Sequence, residues 1–110
     1  FVATFILTQS VFVATNISMK IEFNQAKSDK NMRERQLPFE RASEFDWSSA
    51  VIATDLRNDY PEARYIAVGY LGNRLHVLCF TPANDAIRVI SFRKAYRREA
   101  EKHGKPLTID

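Results

Sequence analysis

Residues 86–103 read AIRVISFRKAYRREAEKH, and this segment decides how the chain is organised. It begins as an alternating strand and continues, with no Gly or Pro between them, into a basic helix. Seven cations and two carboxylates lie between Arg88 and Lys105, a net charge of +5, whereas the whole chain carries +3. The excess positive charge is concentrated at one strand–helix junction, which favours an anion there. A solvated basic surface is the competing interpretation.

Length and composition indicate a single globular domain. The chain has 110 residues, of which 45% are hydrophobic and 26% charged, and this balance argues against disorder. A pI near 9.2 is compatible with nucleic acid or an acidic protein as partner. The lone cysteine, Cys79, cannot form an internal disulfide and is expected to be buried. One cysteine and two histidines offer no cluster with metal-ligand spacing, so we predict neither metal nor cofactor.

The first eighteen residues, FVATFILTQSVFVATNIS, carry no charged side chain. Polar residues at positions 8–10 interrupt the apolar run, which is too short to span a bilayer, and no basic region precedes it as in a secretory signal. We expect an N-terminal extension over residues 1–18 and a single domain over residues 19–110. An additional β-strand is the alternative for the extension, because Val, Ile, Phe and Thr dominate it. We predict no membrane association and a cytoplasmic protein.

Residues 19–110 predict the element order β-α-α-β-β-β-β-α. Gly72–Asn73 indicates a tight hairpin turn, and successive hairpins imply an antiparallel sheet. We therefore expect an α+β domain, with helices packed against an antiparallel sheet of four to five strands. The predicted strands span residues 20–23, 49–54, 64–70, 75–80 and 86–91, and the first two predicted helices span residues 25–35 and 38–47.

The predicted helices differ in how much apolar surface they offer. The first has a thin apolar face, made by Ala26 and Met32, whereas the second carries aromatic residues that are expected to lie in the core. The basic terminal helix has a stripe that is expected to be buried, formed by Phe92, Ala95, Tyr96 and Ala100. That arrangement turns the cations of the helix towards solvent or a groove.

No motif for a protein nucleophile is present, and the three glycines form no phosphate-binding loop. RNA, however, supplies its own nucleophile, the 2′-hydroxyl. A protein then needs to orient the phosphate, stabilise the charge of the transition state and move protons, and arginine suits the first two tasks. Glu99 and His103 are the candidates for proton transfer in this segment.

From residue 19 onward the sequence resembles the BrnT family of RelE-like ribonuclease toxins of type II toxin–antitoxin systems. Four segments carry the resemblance, and the last of them is fairly specific. They are IEFNQAK at 21–27 with Asn31 shortly after it, LPFERA at 37–42, RYIAVG at 64–69 and RVISFRKAYRRE at 88–99.

The resemblance implies a RelE-like two-layer domain and an endoribonuclease that cuts RNA and inhibits translation and growth. It also implies a hetero-oligomer with a cognate antitoxin, which neutralises the toxin and through which alone the pair contacts operator DNA. The catalytic positions expected from the matching motifs and the basic segment are Arg64, Arg88, Ser91, Arg93, Lys94, Glu99 and His103. Further RNA contacts are expected from Lys27, Asn31 and Arg97.

The sequence departs from the family pattern at several positions. The family usually has Trp-Asp at Phe23 and Asn24, Ala at Phe92 and Tyr at His103, and it often has Lys-His-Gly at residues 34–36, which here read Glu-Arg-Gln. The loss of that histidine removes the simplest proton shuttle. A catalytically decayed toxin, which only engages an antitoxin and takes part in operon autoregulation, is therefore the second hypothesis. An unrelated domain that shares the pattern is the third.

Overall fold

A computed structural model describes residues 20–110 of the chain; the prediction for residues 1–18 lies outside this range. Five strands, two α-helices and two short 3-10 segments make up the described part. The strands are β1 (Lys20–Glu22), β2 (Val51–Thr54), β3 (Tyr65–Leu71), β4 (Arg74–Ala83) and β5 (Ala86–Lys94). The helices are α1 (Gln25–Arg35) and α2 (Arg97–His103), and the 3-10 segments are Phe39–Glu44 and Trp47–Ser49. Within residues 20–110, no helix is both long and apolar enough to cross a membrane.

The five strands form one sheet in the order β1-β5-β4-β3-β2. The α+β class and the number of strands are confirmed. The prediction of a purely antiparallel sheet is wrong at one edge, because β1 pairs with β5 in parallel. The β2–β3, β3–β4 and β4–β5 pairs are antiparallel and sequential; two-residue turns connect the last two pairs, and a loop over residues 55–64 connects the first. The parallel pair is formed by the first and last strands. The chain segment between these two strands includes the other three strands.

Strand β5 is longer than predicted, since it continues beyond Ser91 to Lys94. A bulge shifts its register, so that Phe80 of β4 pairs with Val89 while Cys79 pairs with Ser91. The extra residue lets Val89 and Phe92 enter the same core, which a regular alternation would not allow. As a result, Arg93 and Lys94 are strand residues and not helix residues.

One face of the sheet is covered by the two 3-10 segments, which replace the helix predicted over residues 38–47. Their aromatic residues are buried as expected: Phe45 and Trp47 pack edge to face at 4.9 Å, and Trp47 packs on Phe80 at 5.3 Å. Gly69 faces this cluster, and a Cβ there would lie only 2.7 Å from the Phe45 ring. The close approach of chain to ring requires glycine at this position.

The opposite face is covered by α2 and the segment after it. Ala95 and Ala100 are buried against side chains of β3 and β4, and Cys79 is also buried, as predicted. Tyr96, which was expected in the buried stripe, has 49% of its surface exposed. The reason is that α2 begins only at Arg97, so Tyr96 precedes the helix and Phe92 belongs to β5.

Helix α1 buries polar side chains in place of its predicted apolar face. Met32 is 48% exposed and Ala26 is exposed, while Ser28 and Asn31 are almost completely buried. The Ser28 hydroxyl accepts a hydrogen bond from the Phe39 backbone N–H at 2.9 Å. The helix is therefore attached to the domain through hydrogen bonds more than through apolar burial.

Candidate functional site

A cleft of about 620 Å³ opens where three segments meet: the end of α1, the turn between β3 and β4, and the junction of β5 with α2. The volume lies within the range of small-molecule sites in proteins. The turn is held to the junction by Arg74, whose Nη2 donates to the Ala95 carbonyl at 2.9 Å. This hydrogen bond fixes two walls of the cleft relative to each other.

The lining of this cleft is strongly basic. None of its lining residues is Asp or Glu, and the cationic side chains come from parts of the sequence up to 59 positions apart: Arg35, Arg41, Arg74, Arg93 and Lys94. Two carboxylates outside the lining form ion pairs with individual arginines: Glu44 pairs with Arg41 at 3.0 Å, and Glu99 pairs with Arg93. A concave site with several cations and no lining carboxylate suits a phosphate group.

Arg93 and Glu99 form a two-point ion pair at the edge of the cleft. The Arg93 Nη1 and Nη2 atoms donate to the two Glu99 oxygens at 2.9 and 2.7 Å. The guanidinium holds the pKa of the Glu99 carboxyl at about 2, and the carboxylate raises the pKa of Arg93 in turn. Glu99 also accepts the Tyr96 N–H at 2.7 Å and so caps α2. A carboxylate this acidic orients Arg93 and is unsuited to proton transfer near neutral pH.

His76 is the titratable group that the sequence analysis missed. It lies on β4 in the wall of the cleft, is 4% exposed, and packs on the Phe92 ring at 5.5 Å. Its Nδ1 atom lies 2.8 Å from the Arg74 carbonyl oxygen, an acceptor, so Nδ1 carries the proton and Nε2 keeps a lone pair. Burial lowers the pKa of His76 below 6.5, which keeps the ring neutral at pH 7.

Asn31 joins α1 to β5 and to the following loop. Its Nδ2 group donates to the carbonyls of Leu37 and Phe92 at 2.7 and 2.9 Å, and its Oδ1 atom accepts from Arg35 Nη1 at 2.8 Å. Only 5% of the residue is exposed. Asn31, expected to contact RNA, is thus placed to hold Arg35 at the cleft.

A second, smaller groove of about 160 Å³ lies between α1 and β5. Lys27 and Ser91, both expected as site residues, line it together with Lys30 and Asn31. Arg35 lines both this groove and the larger cleft. The two depressions therefore share one side chain.

Five expected site residues line neither depression: Glu99, which pairs with Arg93 at the edge of the cleft, and four residues that lie elsewhere. Arg64 pairs with Glu62 at 3.2 Å, and Arg88 pairs with Glu22 at 3.4 Å at the β1 side of the sheet. Arg97 lines a shallow pocket beside the segment that follows α2, and His103 is the last residue of that helix. Of the predicted catalytic set, Arg93 and Lys94 line the cleft.

The sequence gives only weak indications that the other cleft residues belong to a site. His76 is a polar residue within an otherwise apolar run, and Arg41 belongs to a 3-10 segment of mixed composition. Arg35 occupies the place where the resemblance puts a histidine, and it lines the cleft. Within residues 20–110, no group of three or more His, Cys, Asp and Glu side chains is arranged to hold a metal ion.

Comparison with known proteins gives one finding about the family. A family described as "Ribonuclease toxin, BrnT, of type II toxin-antitoxin system" has a sequence model that matches residues 23–99, well over half of the chain. The matched range includes α1, the whole cleft and Glu99. No curated protein matches the chain.

Proposed function

The chain belongs to the BrnT family of type II toxin–antitoxin ribonuclease toxins, and from this premise we propose that it is a metal-independent endoribonuclease with its active site in the basic cleft. Cleavage of RNA inhibits translation and growth, and a cognate antitoxin neutralises the enzyme in a hetero-oligomer. The antitoxin carries the pair to operator DNA. Because its substrate is cellular RNA, the toxin acts in the cytoplasm.

One observation carries the proposal: five cations and the neutral His76 line a single concave site without a lining carboxylate. The cations supply charge stabilisation for a phosphate and its transition state. The imidazole supplies a base whose pKa is below neutral. These are the requirements of RNA cleavage by the 2′-hydroxyl, and the lining resembles no oxygen-rich metal site.

In the proposed reaction, the scissile phosphate binds between Arg41 and Arg93. The neutral Nε2 atom of His76 accepts the 2′-hydroxyl proton, and the 2′-oxygen attacks the adjacent phosphorus. The bond from phosphorus to the 5′-oxygen breaks, and that oxygen takes a proton from solvent water. The products are a 2′,3′-cyclic phosphate and a 5′-hydroxyl end. Lys94 and Arg35 stabilise the negative charge on the phosphoryl oxygens.

Four of the other sequence-predicted residues have supporting roles in this scheme. Glu99 orients Arg93, and Asn31 orients Arg35. Lys27 and Ser91 lie beside the site in the adjoining groove. Arg64, Arg88, Arg97 and His103 lie outside it, and we assign them no catalytic role.

The second candidate function is a decayed toxin that only binds its antitoxin. It is favoured by the Glu34-Arg35-Gln36 sequence, which stands where the family often has Lys-His-Gly. The cleft position of His76 favours an active enzyme, because it offers an imidazole from a different strand.

Induced expression of the full chain in a bacterial host tests the proposal, with growth and RNA integrity as readouts. We expect growth arrest and RNA fragments with 5′-hydroxyl ends from the unchanged chain. His76→Gln and Arg41→Ala are expected to relieve the arrest, whereas Arg33→Ala, which removes an exposed cation outside the cleft, is the matched control. Toxicity that survives His76→Gln contradicts the assigned base. Intact RNA, together with retained antitoxin binding, indicates the decayed toxin.

A further inference from the structure

Resting on the proposed function, we infer that the substrate is single-stranded RNA whose backbone leaves the cleft past Arg35 and follows α1 through the groove lined by Lys27 and Lys30. The inference adds a binding path to the proposed cleavage site. It begins from the position of Arg35, which lines both depressions. A phosphate held there adjoins the cleft on one side and the groove on the other.

Arg35 is held in this bridging position by its neighbours. Its Nη1 atom donates to the buried Asn31 side chain at 2.8 Å, and Asn31 is itself bound to the backbone of β5 through the Phe92 carbonyl. The remaining guanidinium donors are available to a phosphate, because Arg35 is an exposed residue. A partly anchored arginine loses less conformational entropy on binding than a free one.

The groove continues the positive charge along one side of α1. Lys30 and Asn31 follow Lys27 by three and four residues, so all three lie on the side of α1 that lines the groove. Glu34 also lines the groove, and its carboxylate forms an ion pair with Lys30 that is long, at 4.0 Å, with both side chains more than half exposed. The Lys30 ammonium can exchange this weak, exposed ion pair for a phosphate, and the half-buried Ser91 lies opposite as a hydroxyl donor.

The dimensions fit a short stretch of one strand. Eight residues separate Lys27 from Arg35, which corresponds to about 12 Å along the helix axis. At about 3.4 Å per stacked nucleotide, this path holds roughly three to four nucleotides beyond the cleft. A cleft of about 620 Å³ has the size of a small-molecule site and is too small to enclose a duplex.

The salt dependence of RNA binding tests the path. A fluorescent ten-nucleotide RNA with 2′-O-methyl groups throughout lacks the nucleophile and stays intact, so its Kd can be measured at several salt concentrations. We expect the Lys27→Ala and Lys30→Ala double variant to reduce the slope of log K against log salt by about 1.4 in magnitude, since each phosphate contact with a single strand contributes about 0.7. The matched control replaces Arg33 and Lys102, exposed cations that line neither depression, and should keep the slope of the unchanged chain.

Oligonucleotide length is the second readout. A two-nucleotide RNA is expected to bind the double variant and the unchanged chain equally, whereas the ten-nucleotide RNA discriminates between them, and an RNA duplex competes poorly. Equal slopes for the double variant and the unchanged chain overturn the path, and if the double variant then also fails to bind an antitoxin, this face of α1 is a protein interface. The proposed function fails separately, when unmodified RNA binds with the expected slope but is not cut.

Discussion

The two Glu99 oxygens accept hydrogen bonds from two different nitrogens of Arg93, at 2.9 and 2.7 Å, and the side chains are only 22% and 25% exposed. This pair joins the end of β5 to the first turn of α2. It fixes a cation at the rim of the cleft and caps a helix with the same carboxylate. The strand–helix junction therefore has both a structural and an electrostatic function.

Replacing Glu99 by Gln is expected to lower the free energy of unfolding at pH 7 by about 1–2 kcal/mol. A pKa of about 2 against an ordinary 4.5 corresponds to roughly 3 kcal/mol, which solvent screening at a partly exposed pair reduces. Because the folded-state pKa is the lower one, this stability is present above pH 4.5 and is lost as the pH falls towards 2. Urea unfolding at pH 7 and pH 3 should show the difference shrinking with acid. Glu101→Gln, an exposed change on the same helix, is the control, and an equal effect from it contradicts the prediction.

RNA cleavage is expected to have an acidic limb that lies below pH 6.5. His76 acts as a base only when neutral, and burial lowers its pKa from 6.5, so the midpoint of the fall in rate should lie below pH 6.5. His76→Gln should reduce kcat by about 10²–10⁴-fold, the usual contribution of a general base. Single-turnover cleavage of a short RNA between pH 5 and 8 measures both effects. A limb centred above pH 6.5 contradicts the assignment of His76.

His76 also predicts how stability responds to pH. The unfolded chain binds the proton more readily than the folded one, because the folded-state pKa is the lower. Stability should therefore fall as the pH drops below about 6.5, and the fall should end below the folded-state pKa. In the His76→Gln variant, this part of the pH dependence disappears. A denaturation series from pH 5 to 7.5 on both proteins checks the sign, and stability that rises as the pH drops contradicts it.

Sequence patterns predicted the strands well because their apolar residues either alternate or form a continuous run between turn signals. Gly72, for example, adopts a φ of +61° in the expected hairpin turn. The boundary of β5 could not be predicted, since residues 92–94 suit a strand or a helix equally. The bulge in the β4–β5 pairing keeps these residues in the strand. It depends on how Phe92 packs against its neighbours on β4, a tertiary effect that overrides local preference.

The candidate site was predicted only in part because its residues are far apart in the sequence. Arg93 and Lys94 were found through the charge of their own segment. Arg41 and His76 reach the same cleft from a 3-10 segment and from the middle of a buried strand. No local sequence pattern shows that these residues lie close together. A histidine within an apolar run, such as His76, is most simply interpreted as a core residue.

Replacing Asn31 by Ala is expected to destabilise the protein by about 2–3 kcal/mol. The change leaves the Leu37 and Phe92 carbonyls without their donor in a buried place. It also frees Arg35, so RNA affinity should fall as well. If Asn31 were only an RNA contact, binding would weaken while stability stayed the same. Chemical denaturation and RNA binding of the same variant separate the two roles, and Asn58→Ala in an exposed loop is the stability control.

Replacing Gln36 by Gly is expected to raise the free energy of unfolding by about 1 kcal/mol. Gln36 ends α1 in the left-handed conformation, with φ 58° and ψ 37°, and its N–H donates to the Met32 carbonyl at 2.8 Å. Side chains with a Cβ disfavour this conformation, and glycine is the usual residue at this position of a helix end. Gln25→Gly, at the start of the same helix, should instead destabilise by about 0.5–1 kcal/mol, because there glycine only adds flexibility to the unfolded chain. Thermal and urea unfolding of the two variants should therefore shift in opposite directions. A shift in the same direction means that the left-handed backbone at Gln36 carries no strain.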